Sequence, residues 1–145
     1  MYLFKGYILV KVIIAGGREF ADYAKLKKAI AQSQFDITEV VSGGARGADT
    51  LGERWAKENS VPIKRFPAEW SNLKQAGAIV KINKWKKKYN ANAGFFRNEE
   101  MAKYADGLIT VEGGNGTADM EKRGKKHDLQ THKYEMPDED YEYKF

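Results

Sequence analysis

Three glycine-rich segments carry the strongest chemical signal in this chain. Each follows a short apolar run and precedes a helical pattern. Where a strand turns directly into a helix, several backbone N–H groups and the positive end of the helix dipole face one point. Such a point binds anions, most often phosphate. In chain order the segments are Gly16-Gly17-Arg18-Glu19, Ser42-Gly43-Gly44-Ala45-Arg46-Gly47-Ala48-Asp49 and Gly113-Gly114-Asn115-Gly116-Thr117.

The second segment predicts a phosphate cradle made by Gly43, Gly44 and Gly47. It is neither a Walker loop nor a G-x-G-x-x-G fingerprint, and plain turn glycines are the alternative. Arg46 stands where a guanidinium can pair with phosphate, or it is a surface arginine. Two further side chains are candidates both for capping the turn and for contacting a ligand, namely Ser42 and Asp49.

Strands alternate with helical patterns along most of the chain. This alternation predicts βαβ units and therefore a three-layer, Rossmann-like α/β fold with a doubly wound, mostly parallel sheet in a single domain. The predicted strands are residues 7–15, 39–42, 62–67 and 106–111, with a last edge strand at 131–136; helical stripes follow the first two strands, and a further helix covers 117–126.

In such folds ligands bind at the carboxyl edge of the sheet. Arg18 follows the first glycine pair, so it is expected at that edge. Thr117 is either the N-cap of the last helix or a phosphate ligand. Trp55 and Trp85 are expected to pack in the core rather than stack on a base.

Residues 68–93 interrupt the alternation, and they predict a basic helical insertion. Apolar residues recur there at helical spacing, and lysines surround them. One interpretation is a solvated lysine-rich helix face, and the other is a surface that follows a nucleic-acid backbone. The apolar residues are Ile79, Ile82, Trp85 and Tyr89, and the lysines are Lys81, Lys84, Lys86, Lys87 and Lys88.

Composition is that of an ordinary water-soluble domain, with 145 residues, 42% hydrophobic and 31% charged. No apolar run approaches the roughly 20 residues of a membrane span, so no membrane partner is predicted. The chain has no cysteine, and its two histidines, His127 and His132, are too few for a zinc centre. We therefore predict no metal, no cofactor and a cytoplasmic location.

Charge is unevenly distributed. The last eleven residues hold five acids and one lysine, which leaves +9 on the rest of a chain whose net charge is +5. A basic body favours anionic ligands, from nucleotides to nucleic acids. We therefore divide the chain into a nucleotide-binding domain over residues 1–136 and a solvated acidic tail over 137–145.

Together these segments resemble the SLOG superfamily, the Rossmann-like proteins that include Smf/DprA and LOG, and in particular its small YspA-like branch. The resemblance covers about residues 8–135, with 71–93 as an insertion relative to the family pattern. Its matching pieces are Gly16–Phe20, Ser42–Asp49 with Glu53–Ala56, Gly94–Met101 and Gly113–Thr117.

The resemblance implies a nucleotide-type ligand and raises the question of hydrolysis. LOG enzymes are phosphoribohydrolases that cut the N-glycosidic bond of nucleoside monophosphates, using a Gly-Gly-x-Gly-Thr-x-x-Glu pattern and an upstream arginine. Gly113–Thr117 and Arg97 fit, but Met120 stands at the glutamate position. A thioether neither activates water nor stabilises an oxocarbenium-like charge. If the protein is an enzyme, Arg97 and Asp119 are the candidate catalytic residues.

Our leading interpretation is a module that senses or sequesters a nucleotide or a nucleotide-derived phosphate ligand. The alternatives are a LOG-like phosphoribohydrolase and DprA-like binding of single-stranded DNA through Lys81–Lys88. The resemblance also implies a homodimer or a larger homo-oligomer. The predicted ligand-binding residues are Gly16, Gly17, Arg18, Ser42, Gly43, Gly44, Arg46, Gly47, Asp49, Arg97, Asn98, Gly113, Gly114, Asn115, Gly116 and Thr117.

Overall fold

The computed structural model describes residues 2–4 and 7–136, so the predicted acidic tail lies outside the described residues. The strands are β1 (Tyr2–Phe4), β2 (Tyr7–Ala15), β3 (Phe35–Ser42), β4 (Ile63–Arg65), β5 (Val80–Ile82), β6 (Lys88–Asn90), β7 (Gly107–Thr110) and β8 (Gln130–Lys133). The helices are α1 (Tyr23–Ser33), α2 (Ala48–Glu58), α3 (Ala93–Tyr104) and α4 (Asn115–Lys126).

Five strands form a parallel sheet in the order β4-β3-β2-β7-β8, and β1 pairs antiparallel with the start of β2. The chain moves outward from β2 to β3 and β4, and then crosses back to β7 on the other side of β2. The strand order therefore reverses between β2 and β7. In open α/β sheets this reversal opens a crevice at the carboxyl ends of the strands.

Two hydrophobic cores lie on opposite faces of the sheet. On one face, Val12, Ile14 and Val40 pack with residues of α1 and α2, such as Leu26 and Ala56. On the other face, Ile13, Val41 and Leu108 pack with residues of α3 and α4, including Met101 and Met120. Consecutive strand residues point to opposite faces, so an unbroken apolar run such as Val12-Ile13-Ile14 supplies both cores. The predicted three-layer, doubly wound fold is confirmed.

The strand boundaries differ from the prediction at the ends of the elements. β3 begins at Phe35 rather than at residue 39, because Ile37 is buried and extends the parallel pairing with β2. β8 ends at Lys133 rather than at residue 136, and β1 was not predicted. Element ends are set by pairing with distant strands, which a local pattern does not contain.

The prediction of a helix within residues 68–93 is wrong. β5 and β6 form an antiparallel hairpin there. Asn83 Oδ1 accepts hydrogen bonds from the backbone N–H groups of Trp85 and Lys87, at 2.9 and 3.0 Å, and Lys86 has a left-handed φ of 62°. An asparagine side chain that bonds to nearby amides favours a turn over a helix, and clustered lysines repel one another along a helix face.

Trp55 is partly buried against the first core, as predicted, but Trp85 is 69% exposed at the tip of the hairpin. The prediction that Trp85 packs in the core is therefore wrong, because the turn places its side chain outside the domain. Across residues 2–4 and 7–136, no helix combines the length and apolar character that a membrane crossing requires.

Candidate functional site

All three glycine segments lie at one edge of the sheet. Parallel register aligns Ala15 with Thr110 and Ile13 with Val41, so the loops after β2, β3 and β7 begin at the same rim. This confirms the prediction that the turns share an edge. A cavity of about 410 Å³ opens there, between the ends of β2 and β7. We call it the switch-point cavity; Gly16, Gly17, Arg97 and residues 114–117 line it, and Met101 and Met120 are among its apolar residues.

The first glycine pair ties the three segments together. Gly17 donates its N–H to the carbonyl of Glu112, at 2.7 Å, and its own carbonyl accepts the N–H of Ala48, at 3.2 Å. A Cβ on Gly16 would lie 2.8 Å from the Cβ of Ala48, so only glycine permits this approach. The backbone bonds therefore fix the first segment against both of the others.

Three of the amides in the second segment are already occupied. Gly44 N–H donates to Ser42 Oγ and Ala45 N–H donates to Asp49 Oδ2, each at 3.1 Å, while Ala48 N–H is held by Gly17. Ser42 Oγ in turn donates to Glu53, at 2.7 Å. These contacts assign Ser42 and Asp49 to stabilising the loop. The cradle predicted from this segment consequently offers a ligand fewer free amides than its glycines indicate.

The third segment, by contrast, is an open helix N-terminus. Gly114 is the N-cap of α4, and the first intrahelical bond runs from Ala118 N–H to the Gly114 carbonyl, at 3.0 Å. The amides of residues 115–117 therefore have no acceptor within the helix, and these residues line the cavity. Thr117 lies inside the first turn and is buried, so it is not the N-cap. A Cβ on Gly113 would lie 2.7 Å from that of Thr117.

Arg97 on α3 places a largely buried positive charge at this opening. Its Nη1 donates to the Gly43 carbonyl, at 2.6 Å, and its Nε to Asn98 Oδ1, at 3.2 Å. Within the described part of the chain it forms no ion pair. Burial lowers the pKa of Arg97, and Arg18 lowers it further, whereas Asp49 opposes the shift. The guanidinium is thus bonded to neutral groups only.

Asp49 and Arg97 flank Gly43. A Cβ there would lie 2.5 Å from Arg97 Nη1 and 2.9 Å from Asp49 Oδ2. Burial raises the pKa of Asp49, while the Ala45 N–H and Arg97 act in the opposite direction. Asp49 and Arg97 therefore lie on either side of Gly43 without forming an ion pair among the described residues.

Asp119, the second candidate catalytic residue, is engaged in a side-chain network. Its Oδ2 accepts from Asn98 Nδ2, at 3.0 Å, and from Arg123 Nε, at 2.8 Å. Met120 beside it is 1% exposed and packs in the second core. Neither position presents a free carboxylate to the cavity. The network instead holds Asn98, whose Oδ1 orients Arg97.

The same network continues from Arg123 to Glu99, at 3.0 Å, and from Glu99 to His127, at 2.9 Å. The hydrogen bond to His127, supported by Arg123 and Lys126, lowers the pKa of Glu99 from about 4.5 to about 2 against the effect of burial. A depressed carboxyl pKa stabilises the fold above the unfolded pKa, and this contribution is lost as the pH falls from about 4.5 towards 2.

We therefore expect Glu99→Gln to lower the free energy of unfolding by about 1 to 2 kcal/mol at neutral pH. The difference from the unmodified protein should shrink below pH 4.5 and vanish near pH 2, as urea unfolding at a series of pH values would measure. Glu100→Gln, at an exposed neighbouring position, is the matched control and should change little. A deficit of Glu99→Gln that persists unchanged at pH 2 would contradict this reasoning.

The two remaining predicted arginines are surface residues. Arg46 forms an ion pair with Glu19, and their side chains are 73% and 87% exposed, so the pair contributes little to stability. Arg18 is exposed as well, and it lines both the switch-point cavity and a second, larger cavity beside it. Arg46 lines only the larger cavity.

Trp70 is a candidate site residue that the sequence did not indicate. It is 40% exposed and lines both cavities, and a Cβ on Gly94 would lie 3.3 Å from its indole ring. The hairpin fixes its backbone, since Asn90 N–H donates to the Trp70 carbonyl at 2.7 Å. A single tryptophan between an irregular segment and the hairpin has no periodicity from which this position could be predicted.

The sheet order, the two helical layers and the crevice at the strand reversal define a doubly wound, Rossmann-like α/β protein. Residues 10–72 match the YspA, cpYpsA-related SLOG family (YAcAr), so this part of the chain carries the SLOG signature and the predicted resemblance is confirmed. No curated protein sequence matches significantly.

Among solved structures, the chain is similar to DNA processing protein A (DprA) from Streptococcus pneumoniae. The TM-score is 0.60 and the sequence identity 18%, and the match covers 86% of this chain and 49% of that one. The chain thus spans about half the length of this relative. At this identity the similarity shows a shared fold.

Proposed function

We propose that the protein binds a nucleotide or nucleotide-derived ligand through its phosphate in the switch-point cavity, and acts as a sensing or sequestering module. One observation carries the proposal: the largely buried guanidinium of Arg97 bonds only neutral groups and lies on the same cavity as the open N-terminus of α4. A buried cation without an ion-pair partner favours an anionic ligand.

Backbone and side-chain charge act together at this cavity. The amides of residues 115–117 and the dipole of α4 favour a phosphate, and Arg97 adds charge-assisted hydrogen bonds. A volume of about 410 Å³ is at the low end of the range for small-molecule sites, and it suits a mononucleotide. The SLOG signature supports a role in binding nucleotides or nucleic acid. The engagement of Asp119 and the burial of Met120 favour binding over hydrolysis.

The direct test uses calorimetry with AMP and adenosine, because the two differ only in the phosphate. We expect AMP to bind and adenosine to bind at least about 30-fold more weakly. Equal affinity for both compounds, or no binding of AMP, would overturn the proposal. Release of adenine from AMP during the titration would favour the phosphoribohydrolase alternative.

Gly116→Asp separates ligand binding from folding. A Cβ on Gly116 meets nothing within 4 Å, and an acidic residue in the first turn of a helix is stabilising. The unfolding free energy should therefore stay level or rise, while the new carboxylate repels phosphate and weakens AMP binding by about tenfold or more. Gly116→Asn, nearly the same in shape but neutral, is the control and should retain most of the affinity. If both variants bind AMP alike, the phosphate does not sit at α4.

The hairpin provides a second candidate function, the binding of single-stranded nucleic acid. Trp85 and Ile82 are 69% and 64% exposed at its tip and strand, which is unusual for large apolar side chains. No acidic residue occurs from 70 to 98, while five lysines lie between 81 and 88. The bonds of Asn83 order the tip. Exposed indoles among cations stack on bases and pair with phosphates.

For this candidate we expect an oligothymidylate to bind with a steep salt dependence in fluorescence anisotropy. Substituting Lys84, Lys86 and Lys87 with glutamine should reduce the slope of log K against log salt by about 2, and Trp85→Ala should weaken binding at every salt concentration. The control variant exchanges three exposed lysines of α3 and α4, Lys103, Lys122 and Lys125, for glutamine. Equal effects of the two triple variants would contradict a specific role for the hairpin.

A further inference from the structure

The larger cavity beside the switch-point cavity has a volume of about 1110 Å³, and we call it the basic cavity. The two cavities are contiguous, because Arg18, Ala45, Trp70 and Arg97 line both. Residues 43–46 of the second glycine segment, α2 and the loop after β4 line the basic cavity. Together the two cavities offer far more room than one mononucleotide fills.

Charge in the basic cavity is strongly unbalanced. Six cations line it against only two carboxylates, those of Glu53 and Glu58. Glu53 is held by Arg65 and Glu58 by Arg54. Of the cations described at this cavity, Arg18, Lys57 and Arg97 form no ion pair. The uncompensated charge thus extends from the shared wall to α2, beyond the reach of a single phosphate in the switch-point cavity.

Trp70 contributes a flat apolar surface where the two cavities meet. Its indole is half-exposed and lies over the start of α3, beside Gly94. Its carbonyl is fixed by Asn90, so the residue is anchored at its backbone. Aromatic side chains in such positions stack on nucleobases. An anion-binding pocket on each side of an aromatic wall matches a ligand with a base between two phosphates.

We propose that the basic cavity is a second subsite, which holds the second phosphate of a dinucleotide whose first nucleotide occupies the switch-point cavity. This inference rests on the proposed function for the first nucleotide. Trp70 stacks on a base at the junction, and Lys57 and Arg54 of α2 bind the distal phosphate. Neither of these α2 residues lines the switch-point cavity.

The test compares the dissociation constants of AMP and 5′-phosphorylated diadenylate, pApA, by calorimetry. We expect pApA to bind about tenfold or more tightly than AMP. In the double variant Arg54→Gln/Lys57→Gln, the affinity for pApA should fall to that for AMP. The affinity for AMP should stay within about twofold of its original value. The matched control Lys103→Gln/Lys122→Gln removes the same charge at exposed positions outside both cavities and should keep the preference for pApA.

The outcomes separate this inference from the proposed function. AMP binding without a gain for pApA overturns the second subsite alone. Absence of AMP binding overturns the proposed function itself. As a further probe, the 5′-phosphorylated tetraadenylate pApApApA is titrated. If it binds a further tenfold more tightly than pApA, the ligand is an extended strand and the assignment of two subsites is wrong. If both double variants lose the preference for pApA, the preference is a general effect of positive charge. This result would also overturn the inference.

Discussion

Gly47→Ala is expected to lower the free energy of unfolding by about 3 to 5 kcal/mol, and the melting temperature by roughly 10 °C. Gly47 has a φ of 79°, which costs an L-residue about 1 kcal/mol or more. A Cβ at this position would also overlap the Gly17 carbonyl oxygen and lie 2.5 Å from that of Arg18. The Gly17 backbone cannot yield, because it is bonded to Glu112 and Ala48 at the same time.

The matched control is Gly44→Ala in the same loop. Gly44 has nearly the same φ, 73°, but a Cβ there meets nothing within 4 Å. Gly44→Ala should therefore cost only the strain of an L-residue at positive φ, about 1 kcal/mol of unfolding free energy. Urea unfolding of the two variants measures the difference, which reports the close approach between the first and second glycine segments. Equal losses in both variants would show that the approach is not tight.

The fold and the shared edge could be predicted because they depend on local, repeated signals. The side chains of the apolar run Val12-Ile13-Ile14 pack in the cores on both faces of the sheet, and the end of the apolar run at Gly16 marks the turn. Short connections between strands and helices leave a parallel doubly wound sheet as the main solution. Once the strands are parallel, their carboxyl ends must share one rim, and the glycine segments follow them there.

Which glycine segment is free to bind could not be predicted. Both segments have three glycines and the second also has an arginine, yet the side chains of Ser42 and Asp49 use two of the second segment's amides. Whether a serine or aspartate bonds to the backbone beside it depends on the final conformation of the turn. The third segment, which has no arginine, keeps the amides of residues 115–117 open to the cavity. The same residue types thus build the loop in one place and leave an anion site in the other.

Contacts between residues far apart in the sequence could not be predicted either. Arg97 bonds to the carbonyl of Gly43, 54 positions away, and Trp70 meets Gly94 across the entrance. Periodicity predicted a helix where the hairpin lies, because four apolar residues have helical spacing by coincidence. Asn83 instead forms a turn there. Periodicity describes one face of one element, and it contains no information on what a loop meets after folding.

Arg97→Ala is expected to weaken AMP binding by about 100-fold, the largest loss among the ligand-binding variants. Removing a largely buried, hydrogen-bonded cation from a charged contact typically costs 2–5 kcal/mol, which is roughly 30-fold to several thousandfold. Arg97 also donates to the Gly43 carbonyl, so the variant should lose about 1 to 2 kcal/mol of stability as well. Calorimetry well below its melting temperature keeps the two effects apart.

Two control variants test whether the loss of AMP binding is specific to Arg97. Arg97→Lys retains the charge but not the planar fork that reaches Gly43 and Asn98 together, so an intermediate loss of about tenfold is expected. Arg46→Ala removes an arginine that is 73% exposed and paired with Glu19, and AMP affinity should change by no more than about twofold. If Arg97→Ala binds AMP within threefold of the original protein, or if Arg46→Ala loses as much, the phosphate lies elsewhere. In that case the buried charge of Arg97 serves the fold alone, as an anchor between α3 and the loop after β3.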